Sequence, residues 1–96
     1  MAITVKNKRS WKGPGEYIGR PSILGNPFPI HVGRTRCIVS YEFWLAQKIH
    51  NKDKPVLEEL VRLAKIAELG DLNLICWCAP KACHGDVIKK TLEGMI

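Results

Sequence analysis

The stretch of residues 72–92, LNLICWCAPKACHGDVIKKTL, decides the fold. Its first six residues, LNLICW, are mostly apolar without a clean alternation, which predicts a β-strand that is covered on both faces. A proline-containing turn follows, and apolar residues at helical spacing then predict a closing helix that begins at Cys83 or His84 and reaches Leu92. A buried strand that leads through a turn into a helix is typical of an α/β fold.

Two shorter strands are predicted near the N-terminus. Residues 2–6 (AITVK) alternate and are rich in β-formers, and residues 16–18 (EYI) form a second short run. Residues 11–15 (WKGPG) predict a turn between them, because two glycines and a proline interrupt any regular element. Residues 20–29 (RPSILGNPFP) contain three prolines and are therefore expected to form an ordered loop.

Two helices are predicted in the middle of the chain. Thr35 suits the N-cap of a helix over about 36–50, whose apolar positions form one stripe. Pro55 suits the first position of a second helix, and Gly70 suits the left-handed residue that ends it. The order β-β-α-α-β-α predicts a single domain over residues 1–96, with a small compact layered α/β fold, a short, partly parallel sheet and about three helices. In such folds ligands collect outside the carboxyl ends of the strands.

The composition is that of a basic globular protein. Fifteen lysines and arginines against nine acidic residues give a net charge of +6, and most of the early charges are basic. A basic half attracts phosphate, on nucleic acid or on a small nucleotide, although a solvated basic surface produces the same pattern. No apolar run approaches the ~20 residues that span a bilayer, and the first residues lack the apolar core of a signal peptide. We therefore expect a cytoplasmic protein that does not contact a membrane.

The chain contains four cysteines: Cys37, Cys76, Cys78 and Cys83. In a reducing compartment they are not expected to form a disulfide framework. Cys37 lies in an apolar, helical stretch and is interpreted as a small buried hydrophobe. The other three lie within eight residues and adjoin His84, so the segment CWCAPKACHGD is the first candidate site.

This segment is expected to lead into the N-terminus of the closing helix, where unpaired backbone N–H groups and the helix dipole favour an anion. Gly85 permits a close approach, and His84 adds a further donor. Asp86 supports the alternative, because a carboxylate in the first turn occupies those N–H groups itself as a cap.

The same segment admits a zinc site as an alternative. Cys76, Cys78, Cys83 and His84 supply a Cys3His ligand set. The spacing C-x-C-x4-C-H is unusual, since zinc ligand pairs are normally separated by two to four residues. No metal or cofactor is therefore expected.

Thiolate chemistry is the third use of the segment. At a helix N-terminus beside His84, the pKa of the Cys83 thiol should fall, which makes Cys83 and His84 the candidate catalytic residues. The alternative is an inert thiol on the buried side of the helix. Cys76 is interpreted as a core residue.

The loop GRPSILGNPF, residues 19–28, is the second candidate site. Arg20 can pair bidentately with phosphate, and the glycines on either side allow backbone to approach a ligand. The same residues could equally make a tight connection, with Asn26 turning the chain and Phe28 packing into the core. The complete set of candidate ligand-binding residues is Tyr17, Gly19, Arg20, Ser22, Gly25, Asn26, Trp77, Cys78, Gly85 and Asp86.

Two stretches, YIGRPSILGNPF at residues 17–28 and CWCAPKACHGDVI at residues 76–88, together resemble a phage and bacterial family known as domain of unknown function 4326. The opening VKNKR and the mid-chain YEFWL are similar too, so the resemblance spans nearly the whole chain. It implies a small, single-domain protein of the cytoplasm, or of the host cytoplasm where a phage encodes it. It carries no assigned activity and places its emphasis on the two candidate sites.

Polar and glycine residues in two distant segments suggest one shared pocket for a small phosphate-bearing ligand, a nucleotide or nucleotide-sugar derivative. Arg20 and the N-terminus of the last helix are expected to hold the anion, Ser22 and Asn26 to bond the polar body of the ligand, and Trp77 or Tyr17 to stack on a base. Transfer or hydrolysis that depends on the cysteine and histidine stays open. The alternatives are a zinc-stabilised nucleic-acid-binding module and a phage-type protein inhibitor of a host enzyme.

Overall fold

The computed structural model describes residues 2–29 and 33–96. The predicted order of elements, and with it the α/β fold class, is confirmed. The elements are β1 (Ile3–Asn7), β2 (Glu16–Tyr17), α1 (Arg34–His50), α2 (Lys54–Leu69), β3 (Leu72–Cys76) and α3 (His84–Met95). Most predicted boundaries shift by only one to three residues.

The sheet has three strands, with β3 between β1 and β2, and both pairings are parallel. The expected partly parallel sheet is thus parallel throughout. Asn7 pairs with Cys76, and Tyr17 pairs with Ile75. The last residues of all three strands therefore lie at one edge of the sheet, and both candidate segments begin there.

The two faces of β3 are covered differently. Leu72, Leu74 and Cys76 are buried and join the core formed with the helices. The other face is half-buried and lies against the connection between β1 and β2, where Asn73 Nδ2 donates to Pro14 O at 3.2 Å. The strand is covered on both faces as predicted, but a loop and not a helix forms the second cover.

Two predicted helix ends differ from the structure. Helix α1 begins at Arg34, so Thr35 lies within its first turn and the prediction that it is the N-cap is wrong. The N-cap is Gly33, whose φ of 110° is a conformation that L side chains rarely adopt. Gly70 follows α2 with a φ of 172°, which is extended backbone and not the predicted left-handed conformation.

Helix α2 begins where the proline predicted it, with a cap that the pattern did not show. Asp53 is the N-cap, and its carboxylate accepts from Val56 N at 3.2 Å. Pro55 is the second residue of the helix, one position later than expected, and its missing N–H costs nothing there. Within the described ranges, no helix is long and apolar enough to cross a membrane.

Tyr41 ties the 19–28 loop to the helical layer. Its ring is fully buried in α1, and its hydroxyl donates to Leu24 O at 2.7 Å. Burial raises the pKa of Tyr41 above its ordinary value, so the phenol stays protonated and keeps donating. This bond fixes the loop to α1, although Leu24 and Tyr41 are seventeen residues apart in the chain.

We expect Tyr41→Phe to lower the free energy of unfolding by about 1–3 kcal/mol, because the buried Leu24 carbonyl loses its donor. Tyr17→Phe is the matched control, since the exposed hydroxyl of Tyr17 also bonds a loop carbonyl, that of Arg20. Water can replace that donor, so its cost should stay below about 1 kcal/mol. Urea unfolding measures both, and equal losses would contradict the assignment.

Candidate functional site

A pocket of about 310 Å³ opens at the carboxyl edge of the sheet. Three parts of the chain line it. The 19–28 loop contributes Arg20, Asn26 and Phe28; α1 contributes Arg34, Cys37 and Ile38; and the C-terminal segment contributes Cys76, Trp77, Cys78, Cys83 and His84. The two segments that the sequence singled out, some fifty residues apart, therefore form walls of one cavity.

Two side chains hold the turn after β3 in place. Asn7 Nδ2, at the end of β1, donates to Trp77 O at 3.2 Å and to Ala79 O at 2.8 Å. Arg34 Nη1 donates to Ala82 O at 2.9 Å, which links the start of α1 to the same turn. Sequence reasoning missed both residues, although a polar side chain at the end of a predicted strand was a usable signal for Asn7.

His84 connects α3 to β2. It is only 7% exposed, and its Nε2 lies 2.8 Å from Ile18 O. A carbonyl oxygen only accepts, so Nε2 carries the hydrogen and Nδ1 is the unprotonated nitrogen of the neutral ring. Burial, together with the positive charge of Arg20, lowers the pKa of His84 below its usual value, and the ring packs edge-on to Tyr41 at 5.0 Å. His84 is thus held neutral beside the pocket.

The N-terminus of α3 is capped from within the chain. Gly85 N donates to Cys83 Sγ at 3.3 Å, and Cys83 N donates to Asp86 Oδ2 at 3.0 Å. The capping alternative therefore describes Asp86. Two of the N–H groups that were expected to bind an anion at this helix end are therefore already hydrogen-bonded within the chain.

Two of the cysteines that line the pocket have their sulfurs in contact. Cys76 Sγ and Cys83 Sγ are 3.4 Å apart, and both side chains are buried. The hydrogen bond with Cys83, together with the backbone N–H groups of Cys78 and Ala79, lowers the pKa of Cys76 below its ordinary value. The contact with Cys76 and burial raise the pKa of Cys83. The sequence-based expectation that the Cys83 pKa falls is therefore corrected, since Cys76 receives more donors and is the better thiolate.

The described residues contain no group of three or more His, Cys, Asp or Glu side chains that could hold a metal ion. The proposed zinc ligands are committed to other contacts. Cys83 Sγ caps α3, and His84 Nε2 donates to Ile18 O.

The glycines that were predicted to contact a ligand instead lie where a Cβ atom would crowd neighbouring parts of the chain. A Cβ at Gly25 would lie 3.0 Å from Arg20 Cα, and one at Gly19 would collide with the ring of Tyr17. At Gly85 a Cβ would lie 3.0 Å from two apolar side chains of the sheet and the strand exit. None of these three glycines lines the pocket, so tight packing explains them without a ligand.

The polar side chains of the 19–28 loop are used mostly to fold it. Asn26 Oδ1 accepts from Phe28 N at 2.8 Å, and its Nδ2 donates to Cys37 Sγ at 3.2 Å. Cys37 is buried as predicted, and it also donates to Phe28 O. Ser22 Oγ is buried without a hydrogen-bond partner among the described residues, and it does not line the pocket.

The half-buried Tyr17 and the exposed Trp77 form an aromatic pair. Trp77 Nε1 donates to Tyr17 Oη at 3.1 Å, and Tyr17 Oη donates to Arg20 O at 2.9 Å. Trp77 lines the pocket and is 51% exposed, whereas Tyr17 supports it from outside. The predicted stacking role is thus open to Trp77, while the catalytic roles of Cys83 and His84 stay predictions.

We expect the free energy of unfolding to fall as the pH drops from about 7 to about 5, partly because of His84. The unfolded histidine takes up a proton near its ordinary pKa of 6.5, and the folded one does so only at lower pH. Its contribution is therefore complete above that pKa and is lost as the pH falls. His84→Gln should flatten this slope in urea titrations, and the exposed control His50→Gln should not. Equal slopes in both variants would refute a buried neutral His84.

Neither a curated protein nor a solved structure matches the chain. One family model does match it, the domain of unknown function DUF4326, and the match covers residues 3–94. Both walls of the pocket lie inside that range, as does every strand of the sheet. The resemblance seen in the sequence is thereby confirmed, and the chain belongs to the DUF4326 family.

Proposed function

We propose that this protein binds a small ligand bearing a phosphate group, of the nucleotide or nucleotide-sugar class, in the pocket at the carboxyl edge of the sheet. The observation that carries the proposal is the charge of the wall. Of the described residues that line the pocket, Arg20 and Arg34 are cationic and none is acidic. An anion is the ligand that such a wall favours.

The two arginines suit an anion in different ways. Arg34 uses one N–H group to hold Ala82 O, which orients the guanidinium, and its other donors form no hydrogen bond to the residues that the structure describes. Arg20 lines the same pocket from the 19–28 loop, and its positive charge is close enough to act on His84. The planar guanidinium of an arginine matches the oxygen pattern of a phosphate.

The start of α1 adds a positive potential. Arg34, Cys37 and Ile38 belong to its first turns and line the pocket. The N-cap Gly33 has no side chain to occupy the N–H groups there, and the first turn contains no acidic residue. The partial positive charge of this helix end therefore supports the arginines, in the role that the sequence assigned to α3.

The apolar part of the wall suits a base or a sugar. Phe28 and the half-exposed Trp77 lie at the pocket, and an aromatic face stacks on any base. A volume of about 310 Å³ is at the lower end for ligand pockets, which favours a mononucleotide or sugar phosphate over a dinucleotide.

We propose a cytoplasmic setting, because all four cysteines are free, including a pair in contact.

Arg34→Ala and Arg20→Ala should each weaken binding of adenosine monophosphate about 10- to 100-fold, because each removes a charge-assisted hydrogen bond. Arg36→Ala is the matched control, since this exposed arginine lies on the same helix and does not line the pocket. Isothermal titration calorimetry measures all three. Wild-type protein that binds neither inorganic phosphate, ribose 5-phosphate nor adenosine monophosphate would overturn the proposal.

Trp77→Ala should weaken adenosine monophosphate about 5- to 100-fold and leave ribose 5-phosphate unchanged, because only the first ligand has a base to stack. Trp11→Ala is the control, since this tryptophan lies on the connection across the other face of the sheet. The ratio of the two affinities, measured for each variant, isolates the stacking contribution. An unchanged ratio in Trp77→Ala would place the base elsewhere.

A single-stranded nucleic acid is the second candidate ligand, and one cluster of contacts favours it. Lys8 Nζ lies 5.2 Å from the Tyr17 ring and 5.9 Å from the Trp77 ring, and Arg9 lies 5.8 Å from Trp77. Cations around an exposed aromatic pair are what single strands bind. An oligonucleotide that binds more tightly than the mononucleotide, with an affinity that falls steeply with salt, would select this alternative.

A further inference from the structure

Neither the phosphate site nor the base-stacking surface uses the pair of thiols behind them. Cys76 and Cys83 are 1% and 4% exposed, and their sulfurs are 3.4 Å apart. Burial of two cysteines is ordinary, but direct contact between sulfurs from a strand end and a helix cap brings two groups of one redox couple together. Both residues also line the pocket, which gives a small solute a route to them.

We propose that Cys76 and Cys83 are a reversible redox pair, which a hydroperoxide oxidises to an intramolecular disulfide. The proposal is independent of the ligand that the pocket binds. It assigns a function to Cys76 and Cys83, which have no role in the proposed ligand site.

A small movement of the two sulfurs is enough to form the bond. The sulfurs must approach from 3.4 Å to about 2.05 Å, a closure of little more than 1 Å. Residues 77–82 connect the two cysteines and contain neither helix nor strand, so the adjustment falls on a turn and leaves the sheet intact. Cys76 is the last residue of β3 and Cys83 is the N-cap of α3, so both sit at ends of elements.

The two thiols are not equivalent, and their difference assigns the steps. Cys76 is assigned as the thiolate of the pair, because two backbone N–H groups, those of Cys78 and Ala79, bond its sulfur, whereas Cys83 Sγ accepts from Gly85 N. Cys76 S⁻ attacks one oxygen of hydrogen peroxide, the O–O bond breaks, and hydroxide leaves, which gives Cys76–SOH. The Cys83 thiol then attacks that sulfur, the S–O bond breaks, and water leaves with the thiol proton. Two thiols lose two electrons to peroxide, and with the proton first released by Cys76 the products are one disulfide and two waters.

Oxidation changes the pocket as well as the thiols. Cys83 Sγ accepts from Gly85 N and so caps α3, and a disulfide sulfur is a poorer acceptor than a thiol held in that contact. The second cap, from Cys83 N to Asp86, involves no sulfur and survives. The pocket wall therefore contracts at Cys76 and Cys83 while the helix stays anchored.

The experiment treats the reduced full-length chain with hydrogen peroxide, then unfolds it, alkylates the remaining thiols and digests it with trypsin. Cleavage at Lys65, Lys81 and Lys89 separates IAELGDLNLICWCAPK, which carries Cys76 and Cys78, from ACHGDVIK, which carries Cys83. Mass spectrometry should find these two peptides cross-linked, with free thiols falling from four to two. Dithiothreitol should restore all four.

Two variants identify the partner within the first peptide. Cys78→Ser should keep the cross-link, because this half-exposed cysteine is not part of the pair. Cys76→Ser should abolish it, and circular dichroism checks that this buried change leaves the fold intact. Cys37→Ser is the matched control, since Cys37 is equally buried and lies on α1.

Three results would overturn the proposal. A cross-link that persists in Cys76→Ser and disappears in Cys78→Ser would assign the partner to Cys78. A disulfide within the first peptide would show that Cys76 pairs with Cys78 and not with Cys83. Wild-type protein that keeps four thiols, or gains only sulfinic or sulfonic oxygens without a cross-link, would show that the contact is packing alone, and this measurement needs no variant to fold.

Discussion

Parallel pairing of β3 with both of its neighbours is the constraint on which the rest of this small protein depends. Because the strands run the same way, Asn7, Tyr17 and Cys76 end at one edge, and every chain segment that leaves the sheet starts there. Parallel strands also require long crossovers, which here consist of a loop over one face and two helices over the other. Both candidate segments, at residues 19–28 and 76–86, therefore start from one edge of the sheet.

Most polar side chains at that edge form hydrogen bonds that stabilise the fold there. Asn7 supports the turn after β3, Asn26 folds the 19–28 loop, and His84 bonds the exit of β2. Buried polar groups must be paired, so residues that look like ligand contacts in a sequence often serve the fold first. Guanidinium N–H donors, an exposed indole and the end of α1, whose N-cap Gly33 supplies no side chain, are the groups on which the proposed ligand site rests.

The cysteines differ in the same way in the contacts that their sulfurs make. The Cys37 thiol is hydrogen-bonded to Asn26 and to Phe28 O, whereas the sulfurs of Cys76 and Cys83 contact each other. A hydrogen bond between two sulfurs lowers the pKa of one and raises that of the other, so the pair acts as a unit and not as two separate residues. Arg20, Arg34 and the two thiols line the same pocket, so the proposed ligand site and the proposed redox pair share a wall.

The sequence by itself determined the order of elements, the α/β class, the family and the two segments that meet. Apolar spacing marks strands and helices because burial follows their periods, and prolines and glycines mark the turns between them. Tertiary structure alone decided the contributions of Asn7, Arg34 and Gly33, and which cysteine has the lower pKa. These depend on donors and charges that lie close in space while far apart in the chain, and no local pattern records such distances. The same reason explains why Thr35 and Gly70, both good local signals, were overridden by how the chain enters and leaves its helices.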